Sequence, residues 1–474
     1  MFKFNINVFA LSIFITLFFS SISILQAEDK KTNTNINIIP VGDATLEREK
    51  ISIIPPFIDS SLSSKSNINA NLSKLLDGFQ SLFLNDFAFY QNKFLVPNYK
   101  ELSLTGDKYN LPHLFYSPNY ELWRQKKSDF LIHVKGVNAK NSLKIIILAY
   151  DVKKAKQIYQ NTLFVTESNY RKEGHKVAND IYKLITGKES IFTSQIVFVS
   201  DRGSVYAKGE VTKELYIMDF DGHNTTKLTN HQGVVISPMI SKDKNLILYS
   251  LIRNIKGKKK NVDLYLLDLK SQTTRPISTL EGINSGAVFL PDGENIALTL
   301  SQNGNADIFI MNINSKQLRQ ITKHPSEDVD PSISHDGKLM AFLSGRPGRA
   351  MIYVCDPSGI EKDVRRVSYV GEFHATPRFS PDGQEIVFSS WVDNNFDIFR
   401  IDTEGKVLHR LTKNFGSCEE PSFSSDNQFI VFSSKRSITR KTIVQDLYIM
   451  DRDGEIIGAI THNIGNCTSP RWSN

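Results

Sequence analysis

Apolar and polar positions follow one kind of spacing before about residue 190 and another after it. In the first part, helical and strand spacings mix. Glu49 to Phe57 (EKISIIPPF) reads as a short strand stopped by two prolines. Leu72, Leu75, Leu76, Phe79, Leu82 and Phe83 recur at i, i+3, i+4 and i+7, which places them on one face of a helix. Ser117-Pro118 is placed to cap a second short helix through Lys127, with proline at the first position, where no amide bond is lost. DFLIHVKGV (129–137), SLKIIILAYD (142–151) and TLFVTES (162–168) read as three strands, with the lysine-studded DVKKAKQ as a hairpin connection. Tyr170 to Thr186 returns to helical spacing, with Val177, Ile181, Leu184 and Ile185 on one face and Gly187 as the stop. A small α/β domain over 49–190 is expected, its aromatic and leucine stripe serving as core.

After residue 190 the helical spacing ends and a repeat begins. SPMISKDKNLILYS, DPSISHDGKLMAFLS, TPRFSPDGQEIVFSS and EPSFSSDNQFIVFSS share one frame, and GAVFLPDGENIALTL is the same frame with Ala287 where the others have proline. An aspartate follows that position by five residues each time: Asp243, Asp292, Asp336, Asp382 and Asp426. KELYIMD, VDLYLLD, ADIFIMN, AMIYVCD, FDIFRID and QDLYIMD form a second module. Each leads through a turn to a strand ending in a hydroxyl: KLT, PIS, QIT, RVS, RLT, AIT. Positions 238, 287, 331, 377 and 421 are 49, 44, 46 and 44 apart. Four short strands every 45 residues or so predict a β-propeller, since one blade cannot bury both its faces and must stack in a ring. Pro377 and its equivalents are expected to begin the strand that lines the channel, where a lost amide bond costs little.

The ends complete each other. Residues 195–229 supply three strands without an opening strand, and SPRWSN at the C-terminus is an opening strand with nothing after it. The fold class expected is therefore mainly β, a small N-terminal α/β domain followed by a six-bladed propeller over 191–474. Its C-terminal strand closes the ring and removes two sheet edges.

Composition adds the compartment. Lys3 precedes an apolar run from Val8 to Phe19, then small residues up to Ala27 and the charged Glu28-Asp29-Lys30. Twelve residues make a helix of about 18 Å, too short for a membrane core of about 30 Å, so 1–27 reads as a secretory signal peptide. The segment 28–48 is polar and expected to be mobile unless docked. The chain carries 57 Lys and Arg against 50 Asp and Glu, a formal +7. With no arginine-rich helix or long basic run, this is a solvated exterior rather than a nucleic-acid surface. Cys355, Cys418 and Cys467 are too scattered for a zinc cluster, while a disulfide between Cys418 and Cys467 is left open because each lies three residues before an inner-strand proline. The enzymatic alternative, a propeller hydrolase or lyase acting on peptide or saccharide, finds no G-x-S-x-G elbow. His231, His335, His374 and His462 fall in loops without a ligand spacing. No cofactor or metal is expected.

The SPxFSPDGxxIxFSS and DLYIMDxDG repeats, the signal peptide, IIPPF, YELWRQKKSDFLIHVKG, HKVANDIYKLITGKESIFTSQIVFVSD and terminal SPRWSN together resemble the TolB family, periplasmic propellers of the Tol-Pal system. The resemblance implies a non-enzymatic adaptor, peripheral to membranes. Members bind the peptidoglycan-associated lipoprotein Pal through a propeller mouth and the inner-membrane protein TolA through the mature N-terminal segment. They support envelope integrity and constriction of the outer membrane at division. By that resemblance the TolA-binding stretch is Thr34, Asn35, Ile36, Asn37, Ile38, Ile39, Pro40, Val41 and Gly42, whose isoleucines suit strand addition. Residues just before the inner-strand proline should lie at one mouth: Ile283, Gly286, Val329, Asp330, His374, Thr376, Glu419, Glu420 and Ser469. Ile283 and Val329 stand where the family pattern has polar groups. Glu327, Asp328, Asp330, Glu372, Glu419 and Glu420 could crowd negative charge there, favouring a basic partner patch, a calcium ion or merely a solvated acidic rim.

Overall fold

The structure is a computed structural model that describes residues 47–58, 70–97, 115–139, 142–204, 211–253, 261–439 and 442–473. The signal peptide and the stretch Thr34–Gly42 lie outside the described residues. The chain forms two compact units. One holds the described residues through Gln195 together with Met218–His223, and the other holds Ile196–Ile217 and the chain from Asn224 onward.

The first unit has strands β1 (Glu49–Ile53), β2 (Phe57–Ile58), β3 (Phe94–Leu95), β4 (Phe130–Ala139), β5 (Ser142–Asp151) and β6 (Lys156–Val165). They form a sheet of order β3-β1-β4-β5-β6, with β2 also on β4. Its helices are α1 (Ala70–Phe89), α2 (Tyr120–Gln125) and α3 (Tyr170–Thr186). Leu75, Leu76, Phe79, Leu82 and Phe83 are all buried along α1, as the spacing predicted. On the other side of the sheet, Phe115 and Trp123 pack with Leu131, Leu148 and Tyr150.

Three local readings change. The cap of α2 is Asn119, whose side-chain oxygen accepts from the Leu122 amide at 3.2 Å, rather than Ser117-Pro118. β6 starts at Lys156, because the turn is only Val152–Ala155 and Ala155 takes a left-handed φ of 49°. In α3, Val177 and Ile181 are buried but Leu184 is 55% exposed. The buried face is rotated toward Gly174, His175 and Ala178, where α1 comes close: a Cβ on Gly174 would lie 3.0 Å from Leu82 Cδ2. Gly187 ends the helix at φ 74°, its amide bonded to Lys183 O.

The second unit is a ring of six four-stranded antiparallel sheets. We number the blades 1 to 6 in chain order. Their innermost strands are Cys467–Trp472, Val234–Ile240, Asn284–Phe289, Asp328–Ile333, His374–Phe379 and Ser417–Phe423. The innermost strands touch their neighbours all the way round, and the ring closes through Cys467–Trp472, which pairs with Gln195–Ser200 of blade 1. Ile386 and Phe388 of blade 5 pack on Val329, Leu343 and Val354 of blade 4, and Val387 packs toward Phe432 and Met450 of blade 6.

The repeated residues now have physical roles. Ser241, Ser334, Ser380 and Ser424 each donate to the aspartate two residues on (Asp243, Asp336, Asp382, Asp426). Each also accepts the amide five residues on, so the pair locks the first hairpin turn from inside. The terminal hydroxyls extend the outermost ladder. Thr229, Thr322, Ser368, Thr412 and Thr461 are buried and accept the amides of Leu215, Ile308, Ile352, Ile398 and Leu447. Without them those buried amides would lose their partners.

Candidate functional site

The inner-strand proline does not begin its strand. Pro377 is the fourth residue of His374–Phe379, at a β-bulge, and this corrects the expectation that it opens the strand. All six innermost strands slip register at the same place. The residue before the proline, or before Ala287, is left-handed every time: Ser237 (φ 50°), Gly286 (63°), Asp330 (53°), Thr376 (52°), Glu420 (59°) and Ser469 (52°). A bulge leaves one residue out of the ladder, so proline's missing N–H costs nothing there. Gly286 has a second reason to be glycine, since a Cβ would lie 3.3 Å from Asp330 Cα in the next blade.

The bulge turns amides toward the neighbouring blade. Asp330 N donates to Thr299 Oγ1 at 3.1 Å, and Glu420 N to Ser389 Oγ at 3.0 Å. The Ser469 amide and hydroxyl both donate to the Glu420 carboxylate. Three residues further on, Phe379 N donates to Ser332 Oγ and Trp472 N to Ser422 Oγ, both at 3.1 Å. These bonds offset a left-handed strain of roughly 1 kcal/mol or more per non-glycine residue.

The expected mouth residues therefore sit within strands or at their first residue, and Ile283 immediately precedes one. Val329, Asp330, His374, Ser469 and Gly286 are buried; Ile283, Thr376, Glu419 and Glu420 are half-buried. Four of the six acids, Asp328, Asp330, Glu419 and Glu420, find individual partners. Asp328 is buried and pairs with Arg346 at 2.9 Å, and Arg346 also reaches Glu361. Asp330 pairs with Arg378 at 2.9 Å. Glu419 accepts from Ser417 Oγ at 3.0 Å, and burial, helped by the Glu420 charge, pushes its pKa up to about 7. Among the described residues no group of three or more His, Cys, Asp and Glu is arranged to hold a metal ion. His374 lies edge-on to Phe388, 4.9 Å between centroids, with neither ring nitrogen bonded. Burial, then the charges of Arg366 and Arg349, holds its pKa near 3, so the ring is neutral. Cys418 and Cys467 are separate buried thiols, directed at Phe415 O and Gly465 O, and burial pushes their pKa values up to about 11 and about 12.

A family model described as the TolB beta propeller domain matches residues 182–474. The chain belongs to the TolB β-propeller family. Two curated relatives, both named Tol-Pal system protein TolB, from Francisella tularensis subsp. mediasiatica (strain FSC147) and subsp. holarctica (strain OSU18), are each 30% identical over 274 residues. That stretch is 56% of this chain and 61% of theirs, so the chain spans about three-fifths of the length of the relatives it matches. The crystal structure of TolB from Acinetobacter baumannii matches in fold, with TM-score 0.69 and 24% identity over 90% of this chain and 97% of that one.

Within this TolB-family propeller, two residues at the ring escaped the sequence reading. Arg378 and Arg471 occupy the position after the proline, where other blades have Met239, Val288, Ser332 and Ser422. The signal was available, since an arginine inside a buried strand needs a partner. Thr376→Gly relieves a left-handed threonine, so its melting temperature should be no lower than the parent's. Thermal melts check this; a clear loss of melting temperature contradicts it.

Proposed function

We propose that this protein is a non-catalytic periplasmic adaptor of the Tol-Pal system, joining the inner-membrane protein TolA to the peptidoglycan-associated lipoprotein Pal. In that role it supports outer-membrane integrity and constriction of the outer membrane during division. The observation that carries the reading is the family match across the whole propeller, with relatives that bear the Tol-Pal name. Pal is assigned to the mouth formed by Ile283, Gly286, Val329, Asp330, His374, Thr376, Glu419, Glu420 and Ser469. The bulges support this by holding six backbone positions in one rigid frame, the kind of preorganised surface that binds with little ordering cost. TolA is assigned to Thr34–Gly42 on the resemblance alone. Thr299, Ser389, Ser469 and Glu420 are spent on inter-blade bonds, which suits a docking surface better than acid–base chemistry. No described helix is long and apolar enough to cross a membrane. Affinity capture from an envelope extract with the full mature chain should recover a peptidoglycan-bound lipoprotein. Failure to recover one, together with a hydrolase or lyase activity lost on mutating His374, would overturn the reading.

A further inference from the structure

The second and third strands of blade 6, Phe429–Ser437 and Ile443–Asp451, form the longest hairpin of the propeller among the described residues. In blades 3 and 4 the second strand ends opposite the first residue of the inner strand, at Leu300 and Ser344. In blade 6 that first residue, Ser417, lies opposite Lys435, and the hairpin runs on, pairing Arg436 with Val444 and Ser437 with Ile443. The Ile438 amide then donates to Thr442 O at 2.9 Å. Thr439, four residues beyond Lys435, is thus about 13 Å past the start of the inner strand. In an antiparallel blade this connection leaves the end at which the inner strand begins, so the finger rises on the mouth side. Ile438 and Ile443 are 58% and 59% exposed. They lie on opposite faces, because Ile443 shares a face with its cross-strand partner Ser437 and the next residue points the other way. The charge is all of one sign: between Asp426 and Asp446 the sequence has Lys435, Arg436, Arg440 and Lys441 and no acid. Arg436 rests on rings at the root of the finger. Its Cζ lies 4.3 Å from the Phe415 centroid and 5.6 Å from that of Tyr448, and its Nη1 donates to Tyr448 Oη at 3.3 Å.

We propose that this finger docks the propeller on an anionic lipid surface, with Ile438 and Ile443 entering the headgroup layer and Lys435 and Arg436 drawn to the lipid phosphates. A protein face covers one side of a hairpin and would leave one isoleucine in water. A lipid interface surrounds the tip and takes both. The uniform positive charge selects acidic headgroups, and each basic residue near such a surface tightens binding by up to about fivefold. Lys435 and Arg436 lie about 10–13 Å below the tip, near one Debye length at physiological salt, so the attraction reaches them. Two isoleucines alone hold weakly, so docking is reversible and needs both the apolar and the charged contribution. The aromatic seat of Arg436 fixes the root, and a chain docked this way turns its mouth toward the lipid. The proposal stands whether or not Pal is the partner at that mouth.

Flotation of the full mature chain with vesicles measures the docking. Vesicles of phosphatidylethanolamine and phosphatidylglycerol should carry the chain upward, phosphatidylcholine alone should not, and salt at about 1 M should release it. Ile438→Ser together with Ile443→Ser should weaken binding about tenfold. The melting temperature should hold, since both side chains are exposed. Lys435→Gln should weaken binding about threefold. In Ile438→Trp, the added indole emission, read against the parent, should move to shorter wavelength when the anionic vesicles are present. A chain that stays in solution beside phosphatidylglycerol vesicles, a double serine variant that floats as well as the parent, or an unshifted emission overturns the proposal. Loss of lipid-free Pal binding by the double serine variant, with no flotation of the parent, would assign the finger to a protein partner and overturn it equally.

Discussion

Deleting Ser469–Asn474 abolishes cooperative unfolding of the propeller. Cys467–Trp472 is buried along its whole length and is the only innermost strand that blade 1 has among the described residues. Its loss strips the ladder from Gln195–Ser200, in which Val197 pairs with Arg471 and Ile196 with Trp472. It removes Trp472, 2% exposed, and the bond from its amide to Ser422 of blade 6. It also unseats Glu420, whose two bonds go to Ser469. Each lost ladder bond is worth about 1 kcal/mol and a buried tryptophan about 3 kcal/mol or more. The sum is of the order of the whole stability of a domain, about 5–15 kcal/mol. Calorimetry should show the sharp transition of the full chain replaced by a broad, low-temperature one. A truncated chain that melts like the parent would show that the ring does not depend on its closing strand.

The next largest effect lies in the N-terminal unit. His175 Nδ1 donates to Asp86 of α1 at 2.9 Å, and its Nε2 lies 3.5 Å from Asp221 in the segment Met218–His223. Arg171 pairs with the same Asp221 oxygen, and His223 Nδ1 approaches its other oxygen at 3.3 Å. Both ring nitrogens of His175 thus face a carboxylate oxygen, so the imidazole is held protonated. Burial opposes that charge, but the bonds to Asp221 and Asp86 win and raise the His175 pKa to about 9. A group raised in the folded state stabilises fully below its unfolded pKa of about 6.5 and loses that contribution as pH rises through about 9. The shift corresponds to about 3 kcal/mol. The Asp221 carboxyl, lowered to about 2, works at the other end: its contribution is lost as pH falls below about 4 toward 2. His175→Ala should cost about 3 kcal/mol at pH 6, because Asp221 loses a buried counter-charge and Asp86, which burial raises to about 6, is left to take up a proton, and much less at pH 10. Denaturant unfolding at the two pH values measures it. An equal loss at both would assign His175 to packing against Phe220 alone, 5.2 Å away.

How much of this was legible depended on distance along the chain. The blades, the serine–aspartate turns and the hydroxyl-ended strands repeat within a few residues, so their spacing carries their structure. The closing strand was legible because two incomplete fragments match one template. The bulge was not, because alternation of side chains reports a strand without reporting a left-handed residue inside it. The one local sign was proline itself, and it suggested a strand end rather than a slip within one. The His175 network joins positions 86, 175 and 221, and ion pairing between blades joins 330 and 378. No local pattern encodes such meetings. The helix α3 shows the same limit on a smaller scale: its period and two of its core positions, Val177 and Ile181, were right, but the buried face is rotated, with a glycine and a histidine toward the core and Leu184 toward water.

The most direct test of the adaptor account is calorimetric titration of lipid-free Pal into the full mature chain, beside Thr376→Gly. The account predicts saturable one-to-one binding by the wild type and at least tenfold weaker binding by the variant with no loss of melting temperature. No heat of binding from the wild type, or equal affinity of the two proteins, would contradict it.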